Sequence, residues 1–126
     1  MQSVSFRVSA VVGFLAVALG AFGAHGLKDV LARHETTAIW QTGVLYHLVH
    51  AAVLLALSAF RPAWRGPWLC FLVGVGVFSG SLYVMGVTGI RWLGAITPLG
   101  GLAMLAGWLW LAVGRPKGVA GDEVAR

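Results

Sequence analysis

The hydrophobic pattern of the chain consists of four long apolar runs separated by short polar segments. The runs cover residues 8–27, 41–60, 68–87 and 92–113, and none of them contains Asp, Glu, Lys or Arg. A helix of about 20 residues spans the hydrocarbon core of a bilayer, because each residue adds about 1.5 Å. Backbone groups in lipid must be hydrogen-bonded within their own segment, which favours helices. The pattern therefore predicts an all-α membrane protein, a four-transmembrane-helix bundle in a single domain.

Tryptophans mark the ends of these runs. Trp40, Trp64, Trp68 and Trp92 lie near the starts of runs, and Trp108 and Trp110 lie near the end of the last one. Tryptophan is enriched at both membrane–water interfaces, so this placement supports the four spans. Prolines, arginines and a glycine between positions 61 and 67 predict a short loop after the second helix.

The basic residues predict the orientation, because cytoplasmic segments carry an excess of Lys and Arg. One side of the predicted bundle has Arg7, Arg61, Arg65, Arg115, Lys117 and Arg126, and the other has Lys28, Arg33 and Arg91. We therefore expect both termini, including a short polar tail over residues 114–126, in the cytoplasm. The first run is longer than the roughly 7–15 apolar residues of a signal peptide, so we expect a retained span.

The first outer loop differs from the other connections because it mixes apolar and charged residues. Between positions 28 and 39, Val30, Leu31 and His34 would share one helical face. This pattern predicts a short amphipathic helix at the outer interface. An irregular solvated loop is the alternative.

The composition excludes two broad classes of protein. The 126 residues are 59% hydrophobic and 10% charged, which is too little charge to cover a small soluble domain. The net charge of +5 comes from basic residues scattered between apolar runs, so it indicates no nucleic-acid partner. The single cysteine, Cys70, excludes an internal disulfide.

Small residues recur every fourth position in three of the runs, and such spacing lets helix backbones approach closely. The series are Ala16, Gly20 and Ala24 in the first run, Gly76 and Gly80 in the third, and Ala103 and Gly107 in the fourth. We expect these faces to form the interior of the bundle. Pro98, inside the fourth run, predicts a helix kink or a locally opened turn.

Polar side chains inside the runs fall at one level of the predicted bundle, in its outer half. They are His25, His47, His50, Ser79, Tyr83 and Thr97. His47 and His50 are three residues apart and Ser79 and Tyr83 are four apart, so each pair shares a helix face. Because buried imidazole and phenol groups need hydrogen-bond partners, we predict that these residues form a polar cluster.

Three interpretations of the polar cluster remain open. It is a hydrogen-bonded structural plug, a site for a proton, lipid or small solute, or a metal or haem site using His25, His47 and His50. No carboxylate lies at the same depth to complete a zinc site, and we predict no metal or other cofactor. No intramembrane acid orients a His for catalysis and no G-x-S-x-G motif is present, so we expect no enzyme.

Several motifs resemble a known family. They are A-F-G-A-H-G-L from Ala21, T-G-V-L-Y-H-L-V-H-A from Thr42, F-S-G-S-L-Y from Phe78 and L-G-A-I-T-P-L-G-G from Leu93. Together they resemble domain-of-unknown-function family 423, which includes small membrane proteins of the transmembrane protein 256 kind. The resemblance implies a four-span protein, bacterial or mitochondrial, without an established activity. It adds Tyr46 to the candidate residues.

The function expected from these observations is that of a small accessory or scaffold subunit. It would lie in a bacterial inner (plasma) membrane and pack against itself or a larger membrane complex, since the short loops leave little outside the bilayer. The alternative is a protein that binds or conducts a proton, lipid or small solute through the polar cluster. Metal or haem binding is a weaker alternative.

Overall fold

The computed structural model describes residues 3–115, and within that range the chain forms helices and no strand. The predicted tail at 114–126 lies almost wholly outside the described residues. The helices are α1 (Val4–Ala24), α2 (Lys28–His34), α3 (Thr37–Phe60), α4 (Arg65–Thr88), a 3-10 helix (Arg91–Ala95) and α5 (Thr97–Val113).

Four of these segments are long and apolar enough to cross a membrane. They contain 21, 24, 24 and 23 residues, with the 3-10 helix and α5 counted together, and their mean hydropathy is 1.6 to 1.9. At about 1.5 Å per residue they are roughly 30–36 Å long, which matches the hydrocarbon core. The predicted all-α, four-span fold is therefore confirmed. Since α3 and α4 each extend a few residues beyond the predicted runs, the apolar pattern marks the lipid-embedded part of a longer helix.

The long helices are arranged in the order α1, α3, α4, α5. α1 packs on α3, α3 on α4 and α4 on α5, whereas no backbone contact joins α1 to α5 within the described residues. α3 and α4 are therefore central, and α1 and α5 lie at the two edges of an open bundle. We call the end that carries α2 and the 3-10 helix the α2 side, and the opposite end the terminal side.

The core lies between α3, α4 and α5. Its buried members are Leu54, Leu57, Phe71, Val75 and Met104. Burying a Leu or Phe side chain contributes about 1.5–3 kcal/mol in a water-soluble protein, but lipid is as apolar as these side chains, so close packing must hold the helices together here.

Glycines bring α4 and α5 into close backbone contact. A Cβ atom on Gly100 would meet the backbone of Phe78 and lie 2.8 Å from the carbonyl oxygen of Gly74. Gly107 faces the ring of Phe71 in the same interface, at 2.8 Å from such a Cβ. The predicted interior role of the small residues therefore applies to Gly107, and also to Ala16, which is fully buried.

Gly76 and Gly80 correct the prediction that all three small-residue series face the interior. A Cβ atom on either of them would have no neighbour within 4 Å. Both glycines line a groove between α1, α3 and α4, so this part of α4 is open.

The predicted amphipathic helix corresponds to α2, which confirms that element. Leu31 is buried, Val30 and His34 are half-buried, and Asp29 and Arg33 are exposed. Glu35 ends α2 in the left-handed conformation, with φ of 55°. The side chain of Arg91 donates to the carbonyl oxygen of His34 at 3.0 Å and so links α2 to the 3-10 helix.

Pro98 does not lie inside a continuous α-helix. It lies in the first turn of α5, directly after the 3-10 helix. A proline in the first turn costs no helical hydrogen bond, because backbone N–H groups there have no partner in the helix. The irregularity expected at Pro98 is thus a change of helix type at Ile96, and the prediction of a kink within one helix needs that correction.

Candidate functional site in the middle of the bundle

His47 joins three helices through its two ring nitrogens. On α3, it is buried, and its Nε2 atom lies 2.9 Å from the carbonyl oxygen of Val12 on α1. Its Nδ1 atom lies 2.8 Å from the hydroxyl of Tyr83 on α4. Since a carbonyl oxygen can only accept, Nε2 carries the hydrogen and donates it. In the neutral ring Nδ1 then accepts from the Tyr83 hydroxyl, and every polar group of the ring has a partner.

His50 makes an equivalent link to the other edge of the bundle. The indole N–H of Trp108 on α5 donates to its Nε2 atom at 3.0 Å. Its Nδ1 atom therefore carries the hydrogen, which it donates to the carbonyl oxygen of Tyr46 at 2.8 Å. The rings of Phe71 and Trp108 pack at 5.5 and 5.9 Å from the imidazole.

The remaining predicted residues form separate contacts around these two histidines. Ser79 on α4 donates to the carbonyl oxygen of Gly43 on α3 at 2.7 Å. The hydroxyls of Thr97 and Ser81 lie 2.6 Å apart and tie the start of α5 to α4. The ring of Tyr46, exposed on α3, stacks parallel to His50 with centroids 6.2 Å apart.

The structure does not bring the three membrane histidines together. His25 is exposed at the end of α1, where it caps the helix. His47 contacts α1 and α4, while His50 contacts α5. The predicted single polar cluster is therefore two sets, which we call the His47 set (His47, Tyr83, Val12) and the His50 set (His50, Trp108, Tyr46). No three His, Cys, Asp or Glu side chains in residues 3–115 are placed to hold a metal ion, so the geometry does not favour a metal site built from His25, His47 and His50.

Both histidines lie near the middle of α3 along its axis. Counted from Thr37, the first residue of α3, His47 lies about 15 Å and His50 about 20 Å along a helix about 36 Å long.

Four polar contacts that stabilise the helix packing were missed in the sequence. The buried hydroxyl of Thr36 donates to the carbonyl oxygen of Gly86 at 2.7 Å. The indole N–H of Trp40 donates to the carbonyl oxygen of Leu19 at 3.0 Å, over Gly23. Near the terminal side, the indole of Trp68 donates to the buried hydroxyl of Ser9 at 2.9 Å. The fourth is the Trp108 contact with His50.

The tryptophans gave a signal that could have identified three of these contacts. Their placement predicts interfacial belts, but an indole N–H that points inward also needs an acceptor. The Ser9–Trp68 contact shows further that the polar groups are not confined to one half of the bundle. Within the described residues, no buried side-chain nitrogen or oxygen lacks a hydrogen-bond partner. This arrangement can fix helix positions, and it leaves no buried polar atom unpaired for a ligand.

Comparison with known proteins places this architecture in a family. The profile of the family described as "Protein of unknown function (DUF423)" matches residues 19–101. The UPF0382 membrane protein YwdK of Bacillus subtilis is 43% identical over 117 residues, covering 87% of this chain and 94% of the relative. The UPF0382 inner membrane protein YgdD of Escherichia coli is 38% identical over 121 residues, covering 89% and 92%.

The similarity extends to a eukaryote. A UPF0382 membrane protein of Schizosaccharomyces pombe is 35% identical over 117 residues, covering 86% of this chain and 98% of the relative. No solved structure matches the chain. Together with four apolar helices of spanning length, these similarities show that this multi-pass membrane protein belongs to the DUF423 family, as its motifs predicted.

Proposed function

We propose that this protein is a non-enzymatic accessory or scaffold subunit that binds a partner inside a bacterial inner membrane. The observation that carries the proposal is that His47 and His50 use all four of their ring nitrogens on partners within the chain. A general base or a proton carrier needs a nitrogen that substrate or water can reach. The two sets instead connect α1, α3, α4 and α5, which suits a rigid scaffold.

The partner surface lies in the bilayer, because little of the described chain extends beyond the four spans. Among the four spans, α1 and the last span (Arg91–Val113) are the most exposed. In their apolar 18-residue stretches 11% and 17% of the residues are buried, against 39% and 44% in α3 and α4. α4 nevertheless has one open strip, at Gly76 and Gly80. Both glycines line a groove of about 220 Å³, together with His47 on α3, Tyr83 on α4 and residues of α1.

This open strip is where we expect a transmembrane helix of the partner to pack. Without a hydrophobic driving force in lipid, close backbone approach supplies the attraction, and glycines four residues apart permit it. The partner is a second copy of this chain or a larger membrane complex. Localisation in the inner membrane is consistent with the name of the inner membrane relative from Escherichia coli.

The test is the size of the assembly extracted from native membranes in a mild detergent. Gly76→Leu combined with Gly80→Leu should shift the protein from a large species to the monomer on a native gel. The fold of the monomer should persist, because a Cβ atom added at either position would have no neighbour within 4 Å. Ala106→Leu, at an exposed position of α5, is the matched control and should leave the large species intact.

Two results would refute the proposal. One is a wild-type protein that is monomeric in native membranes by chemical cross-linking as well as after extraction. The other is an assembly that survives the double glycine substitution in a correctly folded variant.

A further inference from the structure

A second and larger groove lies on the α2 side, between α1 and α3. Its volume is about 480 Å³. The walls are apolar: Ala24 on α1, and Val44, Leu45 and Leu48 on α3. Gly20 also lines the groove, and a Cβ atom on it would lie 3.1 Å from Val44. The groove is separate from both histidine sets.

The mouth of this groove is polar and carries one charged residue. Lys28, the first residue of α2, lines it together with Thr37 and Gln41 at the start of α3. All three are exposed. No Asp or Glu lines the groove, so Lys28 is the one charged residue of its lining. Hydrogen-bond donors and a cation therefore lie directly above an apolar channel.

The length of the groove matches one leaflet of a bilayer. From Thr37 at the mouth to Leu48 at the far end it follows α3 for about 16 Å, and half of a hydrocarbon core of about 30 Å is about 15 Å. The polar mouth would then lie at the headgroup level, and the apolar walls would lie beside an acyl chain. Apolar walls of this length inside the membrane suit an acyl chain and do not suit a water-soluble ligand.

We propose that this groove is a binding site for one anionic glycerophospholipid. The lipid phosphate and its negatively charged headgroup are bound by Lys28, with Thr37 and Gln41 as hydrogen-bond donors. One acyl chain lies along Val44, Leu45 and Leu48. A zwitterionic lipid fits the walls equally well but gains less from Lys28, since its headgroup has no net charge.

Native mass spectrometry of the purified full chain tests this site. The protein, in a mild detergent, is titrated with an equimolar mixture of phosphatidylglycerol and phosphatidylcholine that have identical acyl chains. We expect one phosphatidylglycerol to be retained in preference to phosphatidylcholine. A basic residue near a membrane surface contributes about 1 kcal/mol toward anionic lipid, so Lys28→Gln should reduce that preference about fivefold.

Matched variants separate this site from general surface effects. Arg33→Gln removes an exposed cation from the same helix, outside the groove, and should leave the preference unchanged. Ala24→Phe fills the groove and should reduce retention of both lipids several-fold. Ala18→Phe, at an exposed position of α1 that does not line the groove, should have no such effect.

Three results would overturn the proposal. Equal retention of the two lipids by the wild-type chain would show that the groove does not prefer an anionic lipid. Equal effects of Lys28→Gln and Arg33→Gln would reduce it to general surface charge. A dimer that retains no lipid and is broken by Ala24→Phe would assign the groove to a second copy of the chain.

Discussion

At the scale of single residues, the Tyr83 hydroxyl is the donor on which His47 depends in its neutral form. Tyr83→Phe keeps the ring, which packs 4.7 Å from that of Trp40, but removes the donor. In soluble proteins, removing the hydrogen-bond partner of a buried polar group destabilises the fold by about 1–3 kcal/mol. In membrane proteins, an interhelical hydrogen bond contributes about 0.6 kcal/mol on average. We therefore expect the free energy of unfolding to fall by about 0.5–2 kcal/mol, measured by SDS titration in mixed micelles.

Tyr46→Phe is the control for this substitution. Its hydroxyl is not among the hydrogen-bonding groups of the described residues, and the residue contributes to the His50 set through its backbone carbonyl and its ring. The unfolding free energy of Tyr46→Phe should therefore stay close to that of the wild-type chain. Equal losses in the two variants would show that the Tyr83 hydroxyl has no special role.

The residue types of this site could be predicted from the sequence, but their partners could not. Intramembrane His and Tyr were singled out because they are costly to bury, and the structure pairs His47 with Tyr83. The spacing of residues gives the position of a side chain along its own helix and its direction around that helix. It does not show which neighbouring helix the side chain faces. His47 and His50 differ by about 60° around α3, and that angle is enough to send one toward α1 and α4 and the other toward α5.

At the scale of helices, Thr36 stabilises the end of α4. The last four carbonyl groups of a helix have no intrahelical donor, and Gly86 lies within that last turn. The Thr36 hydroxyl, fully buried, donates to its carbonyl oxygen at 2.7 Å and so joins the connection between α2 and α3 to α4. Thr36→Val keeps the shape of the side chain and removes this donor.

We expect Thr36→Val to lower the free energy of unfolding by about 1–2 kcal/mol, because a buried carbonyl group loses its partner. The adjacent Thr37 is exposed, so Thr37→Val should have little effect. The same SDS titration measures both variants. A stable Thr36→Val together with a destabilised Thr37→Val would reverse our assignment of the buried contact.

The limits of sequence-based prediction at this scale are clearest in α5. The existence of the fourth span followed from its length and hydropathy. The boundary at Ile96 did not, because a proline inside an apolar run is compatible with a kinked helix and with a helix that begins there. The Ser81–Thr97 contact and the close approach of Gly100 to α4 are consistent with a helix that begins there. Both depend on tertiary packing.

At the scale of the whole molecule, the order of helices in space was outside the reach of the sequence. The apolar runs predict the number of spans, and consecutive helices must cross the membrane in opposite directions. They do not predict which helices are neighbours, because lipid-facing and protein-facing positions are equally hydrophobic. Gly76 and Gly80 show this directly, since their spacing is that of a packed face and their surroundings are open. The open order α1, α3, α4, α5 leaves grooves beside α1, and each of our two proposals depends on one of them.

The whole molecule also presents two unequal ends to the aqueous phases, and this asymmetry predicts its orientation. The short loop before α4 shares the terminal side with the start of α1, and Arg7, Arg61 and Arg65 lie there, so we expect that side in the cytoplasm. In a Cys70→Ala background, an impermeant maleimide added to intact spheroplasts should label Glu35→Cys, on the α2 side. Ala63→Cys should react after the cells are lysed and not before. Both positions are exposed and lie on opposite sides of the bundle, so the order of labelling reports the orientation. The reverse order would show that the α2 side faces the cytoplasm.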